Sequence, residues 1–561
     1  MATHTWFQHY PKGVPQTINP DEYTSLPHLF EVGFDKYGDR PAMENMGKCF
    51  SYSEFEEKVD QFASFLQNHT NLKKGDRLAI QMPNLLQYPI AMFAALKCGF
   101  VVVNTNPLYT PAEMKHQFND SGAKAIVILE NFACNLEEIL SETSIETIVT
   151  TEIGDLLGGL KRPITNFVVK RIKKMVPSFS LPNTISFNDA LKTGQSSQFQ
   201  KVELTGNDIA FLQYTGGTTG VSKGAMLTHR NLVSNLEQVC AWMSIMLQEG
   251  KETVITALPL YHVFALTCNC LVMFKMGAKN VLITNPRDMP GFVKELNKHQ
   301  FSVITGVNTL FNGLLNQPKF AELDFSKLKV AFGGGMAVQK VVAEKWLKTT
   351  GASLAEGYGL TETSPVLTIN PLDGSDRVGT IGLPISSTDI KMLDDDGNEV
   401  ALGEPGELCA KGPQVMKGYW ERPEDTTQVM NGEWFKTGDI AVIDKDGFIK
   451  IVDRKKEMIL VSGFNVYPNE IEDAIARHEK VLEVGAIGVP DNKSTEAVKV
   501  FIVKKDPSLT VEEIKSHAHE ILTGYKCPKH IEFTSELPKS NVGKILRRVL
   551  KEEDAKVNSY E

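Results

Sequence analysis

The sequence predicts an α/β protein with a large N-terminal domain of layered α/β subdomains, a small β-rich subdomain and a small α+β C-terminal domain. Three observations predict this order. Short apolar strands alternate with amphipathic helices through the first two thirds of the chain, short strands with many turns follow Ile381, and a mixed pattern begins past Asp453. Alternating strands and helices are typical of a parallel sheet covered by helices on both faces.

The first alternation lies between residues 53 and 129. Apolar residues at helical spacing predict a helix over 53–68, as at Phe55, Val59 and Phe62. The pattern then predicts a strand over 78–81, a helix over 88–96, a strand over 100–103, a helix over 111–119 and a strand over 123–129. The same alternation resumes at Ala210 and continues to about Glu356, which indicates a second α/β unit.

Turn signals mark a change to short strands beyond Ile381. Asp-Gly and Pro-Gly pairs recur at 396–397, 405–406 and 446–447, as expected between short antiparallel strands. Further on, a helix over 469–478 and strands over 485–489 and 497–503 predict a separate α+β unit. We therefore expect an N-terminal domain over 1–452 with its β-rich part at about 381–452, a boundary over 453–456 in the charged run DRKK, and a C-terminal domain over 457–561.

Composition limits the class of protein. The chain has 561 residues, 42% of them hydrophobic and 23% charged, with a net charge of −9. This mix favours a globular enzyme over a disordered chain, and the acidic balance provides no overall attraction for nucleic acid. The eight cysteines form no CxxC pair, which indicates reduced, mostly buried thiols. No signal peptide is recognisable and no apolar run approaches the ~20 residues of a membrane span, so we expect a cytoplasmic protein.

One segment differs from the rest of the chain in its charge. Residues 161–175 contain six basic and no acidic residues, with apolar residues at near-helical spacing, among them Ile164, Phe167 and Ile172. A basic amphipathic helix of this kind can lie on an anionic membrane, here the inner face of the cytoplasmic membrane. A solvated surface helix packed on the body of the protein explains the pattern equally well, and both interpretations stay open.

The stretch over 213–224, QYTGGTTGVSKG, is typical of a phosphate-binding loop. Four glycines, three threonines and one lysine follow a strand-like run over 209–212. Glycines let backbone N–H groups approach phosphate oxygens, threonine hydroxyls donate to them, and a lysine adds charge. The pattern differs from the P-loop GxxxxGK[ST], because Lys223 precedes a glycine. Taken alone, it could also be a flexible turn.

Further motifs follow this loop in a fixed order. They are LPLYHVF (258–264), GGG (333–335), GYGLTET (357–363), NGEWFKTGDI (431–440) with DGFIKIVDRKK (446–456), SGFNVYPNEIE (462–472) and PKSNVGKILRR (538–548). In this order the chain resembles the adenylate-forming superfamily of acyl-CoA synthetases, luciferases and peptide-synthetase adenylation domains. It is most similar to bacterial long-chain fatty acid–CoA ligases, including Gly216 where many relatives carry Ser.

The resemblance implies an ATP site. Its phosphate-binding residues would be Thr215, Gly216, Gly217, Thr218, Thr219, Gly220 and Lys223. Its adenine- and ribose-binding residues would be Gly333, Gly334, Gly335, Tyr358, Gly359, Thr361, Asp439 and Arg454. Glu362 would bind Mg²⁺ together with Thr215, as a carboxylate is a suitable oxygen ligand for this ion. Without the resemblance, Glu362 reads as a surface carboxylate and Asp439 as a turn residue.

The resemblance also assigns roles in the C-terminal domain. Lys544 would be the catalytic lysine that bridges the acyl carboxylate and the α-phosphate, where a cation stabilises the charge of the transition state. The C-terminal domain would be a mobile lid joined by a hinge over 453–456, and Lys456 would be the residue about which it rotates. Gly463 would border the path of coenzyme A. His262 would lie beside the acyl carboxylate, although a structural role is the commoner one for a single histidine.

The acyl chain would lie in an apolar tunnel formed, by resemblance, by Phe264, Val307, Asn308 and Leu310. Some long-chain relatives carry a gating Trp where this chain has Leu266. The expected activity is ATP- and Mg²⁺-dependent conversion of a long-chain fatty acid to acyl-AMP and then, with coenzyme A, to acyl-CoA. The alternatives are a medium-chain or aryl acid–CoA ligase, or an acyl-AMP ligase that loads a carrier protein.

Overall fold

Four sheets organise the described part of the chain. The computed structural model describes residues 4–215, 222–462, 464–491, 494–540 and 543–558. The strands are β1 (Pro41–Asn45), β2 (Lys48–Ser51), β3 (Arg77–Gln81), β4 (Val101–Asn104), β5 (Ala123–Leu129), β6 (Thr147–Thr151), β7 (Thr184–Ser186), β8 (Ile209–Thr215), β9 (Lys223–Thr228), β10 (Thr253–Thr256), β11 (Lys279–Leu282), β12 (Val303–Gly306), β13 (Val330–Gly333), β14 (Leu354–Gly359), β15 (Val366–Ile369), β16 (Leu383–Pro384), β17 (Asp389–Leu393), β18 (Gly406–Lys411), β19 (Met430–Asn431), β20 (Trp434–Ile443), β21 (Ile449–Arg454), β22 (Ile459–Val461), β23 (Phe464–Val466), β24 (Val481–Asp491), β25 (Thr495–Lys504) and β26 (His530–Thr534).

Helices connect and cover these strands. They are α1 (Leu26–Tyr37), α2 (Tyr52–Asn68), α3 (Gln87–Lys97), α4 (Pro111–Ser121), α5 (Ala133–Ile139), α6 (Lys161–Phe167), α7 (Phe187–Gly194), α8 (His229–Met243), α9 (Val272–Lys275), α10 (Met289–Leu296), α11 (Asn308–Leu315), α12 (Lys340–Thr350), α13 (Pro423–Val429), α14 (Pro468–Ala476), α15 (Val511–Ile521) and α16 (Arg547–Asn558). Among the described residues, none of these helices combines the length and the apolar content that crossing a bilayer requires.

The two large sheets are mainly parallel. One has the order β7-β6-β5-β3-β4-β8-β9, with only β8 and β9 antiparallel in the described residues. The other has the order β16-β15-β14-β13-β12-β10-β11-β1-β2 and is parallel from β14 to β1. Strands β4, β12 and β13 are buried along their whole length, as parallel strands covered on both faces must be.

Local sequence fixes where the elements begin. Helix α2 starts one residue earlier than its periodicity predicts, because Ser51 and Glu54 form a reciprocal capping box across its first turn. The Ser51 hydroxyl accepts from the Glu54 N–H at 3.1 Å, and the Glu54 carboxylate accepts from the Ser51 N–H at 2.9 Å. Helix α3 is buried throughout and packs against α1, α2, β3 and β4.

The two smaller sheets lie in the regions where the sequence predicts short strands and a separate α+β unit. Strands β17, β18, β20 and β19 form an antiparallel sheet with β21 added on β20, and β23, β22, β25 and β24 form another with β26 added on β25. Strands β24 and β25 are longer than the sequence pattern predicts. The predicted fold class, a layered α/β domain with a β-rich subdomain and a small α+β domain, is confirmed. All eight cysteines are free thiols, and five of them are buried.

Candidate active site

A cleft of about 950 Å³ lies where the large parallel sheet, the β-rich subdomain and the C-terminal domain meet. Residues predicted from separate motifs line it together. They are Asn308, Gly335, Tyr358, Gly359, Asp439, Arg454 and Lys544. The ends of β14 and β21, the middle of β20 and the loop before α16 bring these side chains to one place.

Asp439 and Arg454 face each other because they are paired in the register of β20 and β21. The Arg454 Nε atom lies 3.4 Å from one Asp439 carboxylate oxygen, and the Tyr358 hydroxyl donates to the other at 2.5 Å. Burial is the largest cause of the raised pKa of Tyr358, so its hydroxyl stays a donor at neutral pH. A carboxylate has about four lone-pair directions, so Asp439 keeps acceptor capacity for further hydroxyl groups.

Glycines around Tyr358 are required by close packing. A Cβ atom on Gly359 would lie 1.9 Å from the Pro365 carbonyl oxygen, and one on Gly357 would lie 2.2 Å from the Phe332 ring. Gly359 is therefore a packing requirement of the turn that presents Tyr358, in addition to any role in binding a nucleotide.

The Gly333–Gly335 turn joins the predicted nucleotide residues to the predicted acyl residues. The Gly334 N–H donates to the Gly306 carbonyl at 3.2 Å, and Gly335 has a φ of +77°. A Cβ atom on Gly334 would lie 3.1 Å from the Phe264 ring, and one on Gly335 would lie 3.7 Å from Val307. A side chain at Gly334 would therefore crowd Phe264, and one at Gly335 would only contact Val307; both neighbours are predicted to line the acyl tunnel.

The other two predicted tunnel residues lie on α11. Leu310 is buried against Gly306, whose added Cβ atom would lie 3.0 Å from it. The Asn308 side chain exchanges two hydrogen bonds with Gln339, donating to its amide oxygen at 3.1 Å and accepting from its N–H at 3.0 Å. This pair fixes the start of α11 beside the cleft.

Glu362 lies in the short turn Thr361–Thr363 and is 7% exposed. Its carboxylate accepts a hydrogen bond from the Tyr419 hydroxyl at 2.7 Å. Burial raises the pKa of Glu362, while the bond from Tyr419 and the charge of Arg454 act in the opposite direction. Glu362 is therefore a buried, oriented carboxyl group beside the nucleotide residues, and the simple surface interpretation does not apply.

Two residues near Glu362 were not found from the sequence. The Lys223 ammonium lies 5.5 Å from the centre of the Tyr419 ring and forms an ion pair of 2.6 Å with Asp425. Thr215 is paired with Lys223 in the register of β8 and β9. Tyr419 lies in no catalytic pattern and Asp425 is one of several charged residues in the run 421–425, so only the tertiary structure reveals their contacts with Glu362 and Lys223.

Lys544 lies in a loop that docks on the N-terminal domain. The Lys544 carbonyl accepts from the Ser540 N–H at 2.7 Å, and the Gly543 carbonyl accepts from the Thr309 hydroxyl of α11 at 3.1 Å. Burial and the nearby Arg454 charge lower the pKa of Lys544 to about 8. The loop therefore places a cation, at neutral pH, in the cleft with Asp439.

His262 is electrostatically coupled to Lys544. Burial, together with the charge of Lys544, lowers the pKa of His262 to about 4. Its Nδ1 atom accepts from the Phe264 N–H at 3.4 Å. The imidazole is therefore neutral at physiological pH, close to both Lys544 and the predicted tunnel.

Some predicted residues lie elsewhere or outside the described residues. Lys456 is exposed in the turn between β21 and β22, separate from the cleft, and its hinge role stays a prediction. Strand β21 continues through Arg454, so the connection between the two sheets is the short segment 455–458. The predicted phosphate-loop residues Gly216, Gly217, Thr218, Thr219 and Gly220 and the predicted coenzyme A residue Gly463 lie outside the described residues.

Comparison with known families agrees with this arrangement. A model of AMP-binding enzymes matches residues 30–420, and a model of the AMP-binding enzyme C-terminal domain matches residues 470–544. The chain belongs to the AMP-binding enzyme family.

Individual relatives cover nearly the whole chain. The chain is 58% identical over 548 residues to a long-chain-fatty-acid–CoA ligase of Escherichia coli O6:H1, with 98% of each chain covered. It is 52% identical to the ligase of that name in Haemophilus influenzae, again with 98% of each covered. Among solved structures, ATP-bound MatB from Rhodopseudomonas palustris has a TM-score of 0.79 and 27% identity, with 94% of this chain and 99% of MatB covered. The anthranilate CoA ligase AuaEII has a TM-score of 0.86 at 23% identity, with 97% and 100% covered, which shows a shared fold.

Proposed function

We propose that this protein is an ATP-dependent long-chain fatty acid–CoA ligase. The observation that carries the proposal is the position of Lys544, in the same cleft as Asp439, Tyr358 and Arg454. The identity of 52–58% to ligases of this name, over almost the full length of both chains, supports the same substrate class.

In the first half-reaction, a carboxylate oxygen of the fatty acid attacks the α-phosphorus of ATP. The bond to the bridging oxygen breaks, pyrophosphate leaves and acyl-AMP remains. Lys544 places a positive charge where negative charge accumulates in this step, and Asp439 accepts hydrogen bonds from the ribose hydroxyls. Positioning and charge stabilisation carry most of the catalysis in such a transfer.

In the second half-reaction, the thiol sulfur of coenzyme A attacks the acyl carbon of acyl-AMP. The acyl–oxygen bond breaks, AMP leaves and the thiol proton passes to solvent, so the products are acyl-CoA and AMP. The anhydride already activates the acid, so no nucleophile from the protein is needed. Neutral His262 near the predicted acyl site is suited to hydrogen bonding of the substrate carboxylate without adding charge.

The residues beside the cleft fit Mg²⁺. Glu362 is a buried carboxyl group held by Tyr419, and Mg²⁺ typically takes one or two protein oxygen ligands together with phosphates and water. Glu362 would hold the ion with the Thr215 hydroxyl. When bound, Mg²⁺ supplies positive charge that neutralises phosphate oxygens.

A chain-length series tests the substrate assignment. AMP formation should be measured with octanoate, palmitate and coumarate, each with and without coenzyme A. We expect the highest kcat/KM with palmitate, and thioester formation only when coenzyme A is present. Preference for octanoate or coumarate would indicate a medium-chain or aryl acid ligase, and carrier-dependent turnover without coenzyme A would indicate a carrier-loading ligase.

We also propose that residues 160–175 attach the protein to an anionic membrane surface. The segment forms helix α6 and a π-helical turn, Val168–Ile172. Its apolar side chains are turned outward, with Leu160 79%, Phe167 59% and Ile172 64% exposed. Exposed apolar residues next to basic ones are typical of interfacial helices, and a bilayer is where long-chain acids partition.

The segment is anchored to the protein on its opposite side. Asn166 is buried, accepts from the Gly154 N–H at 2.7 Å and donates to Glu152 at 2.9 Å. Lys170 is paired with Glu130 at 2.9 Å, and Arg162 lies 3.4 Å from Asp155. These residues hold the segment in place.

Exposed basic residues are left for lipid headgroups, Lys161 at the start of the segment and three more near its end. Arg171, Lys173 and Lys174 form no ion pair within the part of the chain that the structure describes. Each basic residue near an anionic surface contributes about 1 kcal/mol, so three should change vesicle binding strongly and in a salt-dependent manner.

Sedimentation with anionic vesicles tests this attachment. Reversal of Arg171, Lys173 and Lys174 to Glu should reduce the bound fraction, while activity on detergent-dispersed palmitate stays unchanged. The matched control reverses three exposed lysines elsewhere, Lys12, Lys251 and Lys294, and should bind vesicles like the parent protein apart from the general effect of net charge. Equal binding by both triple variants would refute the proposal.

A further inference from the structure

The Arg547 guanidinium connects parts of the chain on both sides of the hinge. Its side chain is 11% exposed at the start of α16. It forms a two-pronged bond with Glu472, from Nε at 2.9 Å and from Nη2 at 2.7 Å. It also donates to Glu457 at 2.5 Å and to the Asn469 side chain. Its bond to Asp453, from Nη1 at 3.2 Å, reaches a strand that precedes the hinge.

Asp453 belongs to the sheet of the β-rich subdomain. It is fully buried in β21, where it is paired with Ile440 of β20. Its second carboxylate oxygen accepts the backbone N–H of Asn469 at 2.9 Å, in the first turn of α14. A buried carboxylate on the N-terminal side thus receives a guanidinium and a helix N-terminus from the C-terminal domain, and both are favourable partners for a negative charge.

The partners of Arg547 differ in what a lid movement would do to them. Rotation about Lys456 would carry Glu472 and Asn469 along with Arg547, because all three follow the hinge. The same rotation would separate Arg547 from Asp453. The bond to Asp453 is therefore specific to the orientation in which Lys544, three residues before Arg547, lies in the cleft.

We propose that Asp453 and Arg547 form a latch that holds the C-terminal domain in the orientation for acyl-AMP formation. Both are positioning residues that act through Lys544, and the proposal rests on the proposed two-step ligase reaction. Loss of the latch should shift the balance of orientations away from this one. It should slow the first half-reaction and spare the second.

The experiment compares two partners of the same guanidinium. Asp453→Asn removes the negative charge of the partner that lies before the hinge, in the N-terminal domain. Glu472→Gln removes the negative charge of a partner that lies in the same C-terminal domain as Arg547. A hydrogen bond to a charged group commonly alters an equilibrium about tenfold or more. We expect Asp453→Asn to slow acyl-AMP formation about tenfold and to leave thioester formation from pre-made acyl-AMP within twofold.

Glu472→Gln should change the two half-reactions by equal factors. Glu472 also accepts the Ala486 N–H at 2.8 Å and so holds α14 on β24, which means that its loss should lower the Tm of the C-terminal domain. Asp453→Glu, which keeps the charge and moves it by one methylene, should lie between the parent and Asp453→Asn. It provides the test if the Asn variant does not fold.

Trypsin gives a readout that does not depend on catalysis. Lys455 and Lys456 are exposed in the hinge turn. Cleavage there should be several times faster in Asp453→Asn than in the parent protein or in Glu472→Gln. Unchanged cleavage with equal loss of both half-reactions in Asp453→Asn would overturn the latch. Faster cleavage in a protein that makes no acyl-AMP from any acid would support the latch and overturn the ligase.

Discussion

The lowered pKa of Lys544 makes acyl-AMP formation sensitive to alkaline pH. Burial and Arg454 lower this pKa from 10.5 to about 8, although Glu457 and Asp439 favour the charged form. The charged fraction of such a lysine falls from about nine tenths at pH 7 to about one tenth at pH 9. If the charge is required, kcat/KM for ATP in the first half-reaction should fall about tenfold over this range, since that parameter reports the free enzyme.

Loss of folding would not explain this fall. In the unfolded chain Lys544 has its ordinary pKa of 10.5, so between about pH 8 and 10.5 the unfolded state binds more protons than the folded state. Stability therefore rises with pH in this window through Lys544, by a total on the order of 3 kcal/mol. If the rate decreases while the free energy of unfolding stays the same or rises, the lost charge of Lys544 is the cause of the decrease.

The titration of Glu356 could be mistaken for that of Lys544 in a pH profile. It also lines the cleft, and burial raises its pKa to about 8. The assay should follow pyrophosphate release with palmitate and no coenzyme A, for the parent, Lys544→Arg and Glu356→Gln. Lys544→Arg should release pyrophosphate more slowly, at a rate that does not change between pH 7 and 9, because a guanidinium stays charged. Glu356→Gln should keep the alkaline decrease in rate. An alkaline decrease that persists in Lys544→Arg would refute the role of the lysine charge.

Three further outcomes are expected. Glu362→Ala should lower acyl-AMP formation at least ~10-fold with only partial rescue by added Mg²⁺, because one metal contact contributes a few kcal/mol to a charged transition state; a normal rate would exclude this turn as the metal site. Lys544→Ala should lose acyl-AMP formation but keep thioester formation from pre-made acyl-AMP, and Gly463→Leu should do the opposite, as measured by both half-reactions and the Tm; equal loss of both in each variant would argue against lid alternation. Gly359→Ala should lower the free energy of unfolding by about 2 kcal/mol or more in a urea titration, because its Cβ atom would meet the Pro365 carbonyl at 1.9 Å; a smaller change would show that the turn can move.

The fold class and much of the cleft could be predicted because their signals are local. Helix α4 begins at the predicted Pro111 and β5 spans the predicted 123–129, since capping residues and continuous apolar runs mark these elements directly. The ordered motifs identified Tyr358, Asp439 and Lys544, whose proximity the structure then shows. Tyr358 lies at the end of β14, Asp439 within β20 and Lys544 in the loop before α16, and the topology brings all three to one cleft.

The partners of these residues could not be predicted in the same way. Tyr419, which holds Glu362, carries no signal in the sequence. Asp453 lies in a recognisable motif, but that motif does not reveal its bond from Arg547, and both residues acquire their roles from contacts between distant segments. Strands β24 and β25 extend beyond the predicted spans because polar residues such as Glu483, Asp491 and Lys504 interrupt the apolar pattern near their ends.

The charges around Lys544 would change during the proposed two-step reaction, and with them the stability of the docked C-terminal domain. A lysine whose pKa is lowered on docking weakens the docked state at neutral pH, because its charge is partly desolvated and lies near Arg454. The phosphates of ATP would reverse this balance, since they add negative charge beside both cations, and so ATP would favour the docked lid. Departure of pyrophosphate removes most of that negative charge. The docked state would then depend on the remaining contacts. They include the bonds to Asp453 from Arg547 and from the Asn469 N–H, and two bonds from α11, from Thr309 to the Gly543 carbonyl and from Asn312 to the Leu482 carbonyl. The loss of pyrophosphate would thus weaken the docked state and favour release of the lid for the proposed second half-reaction.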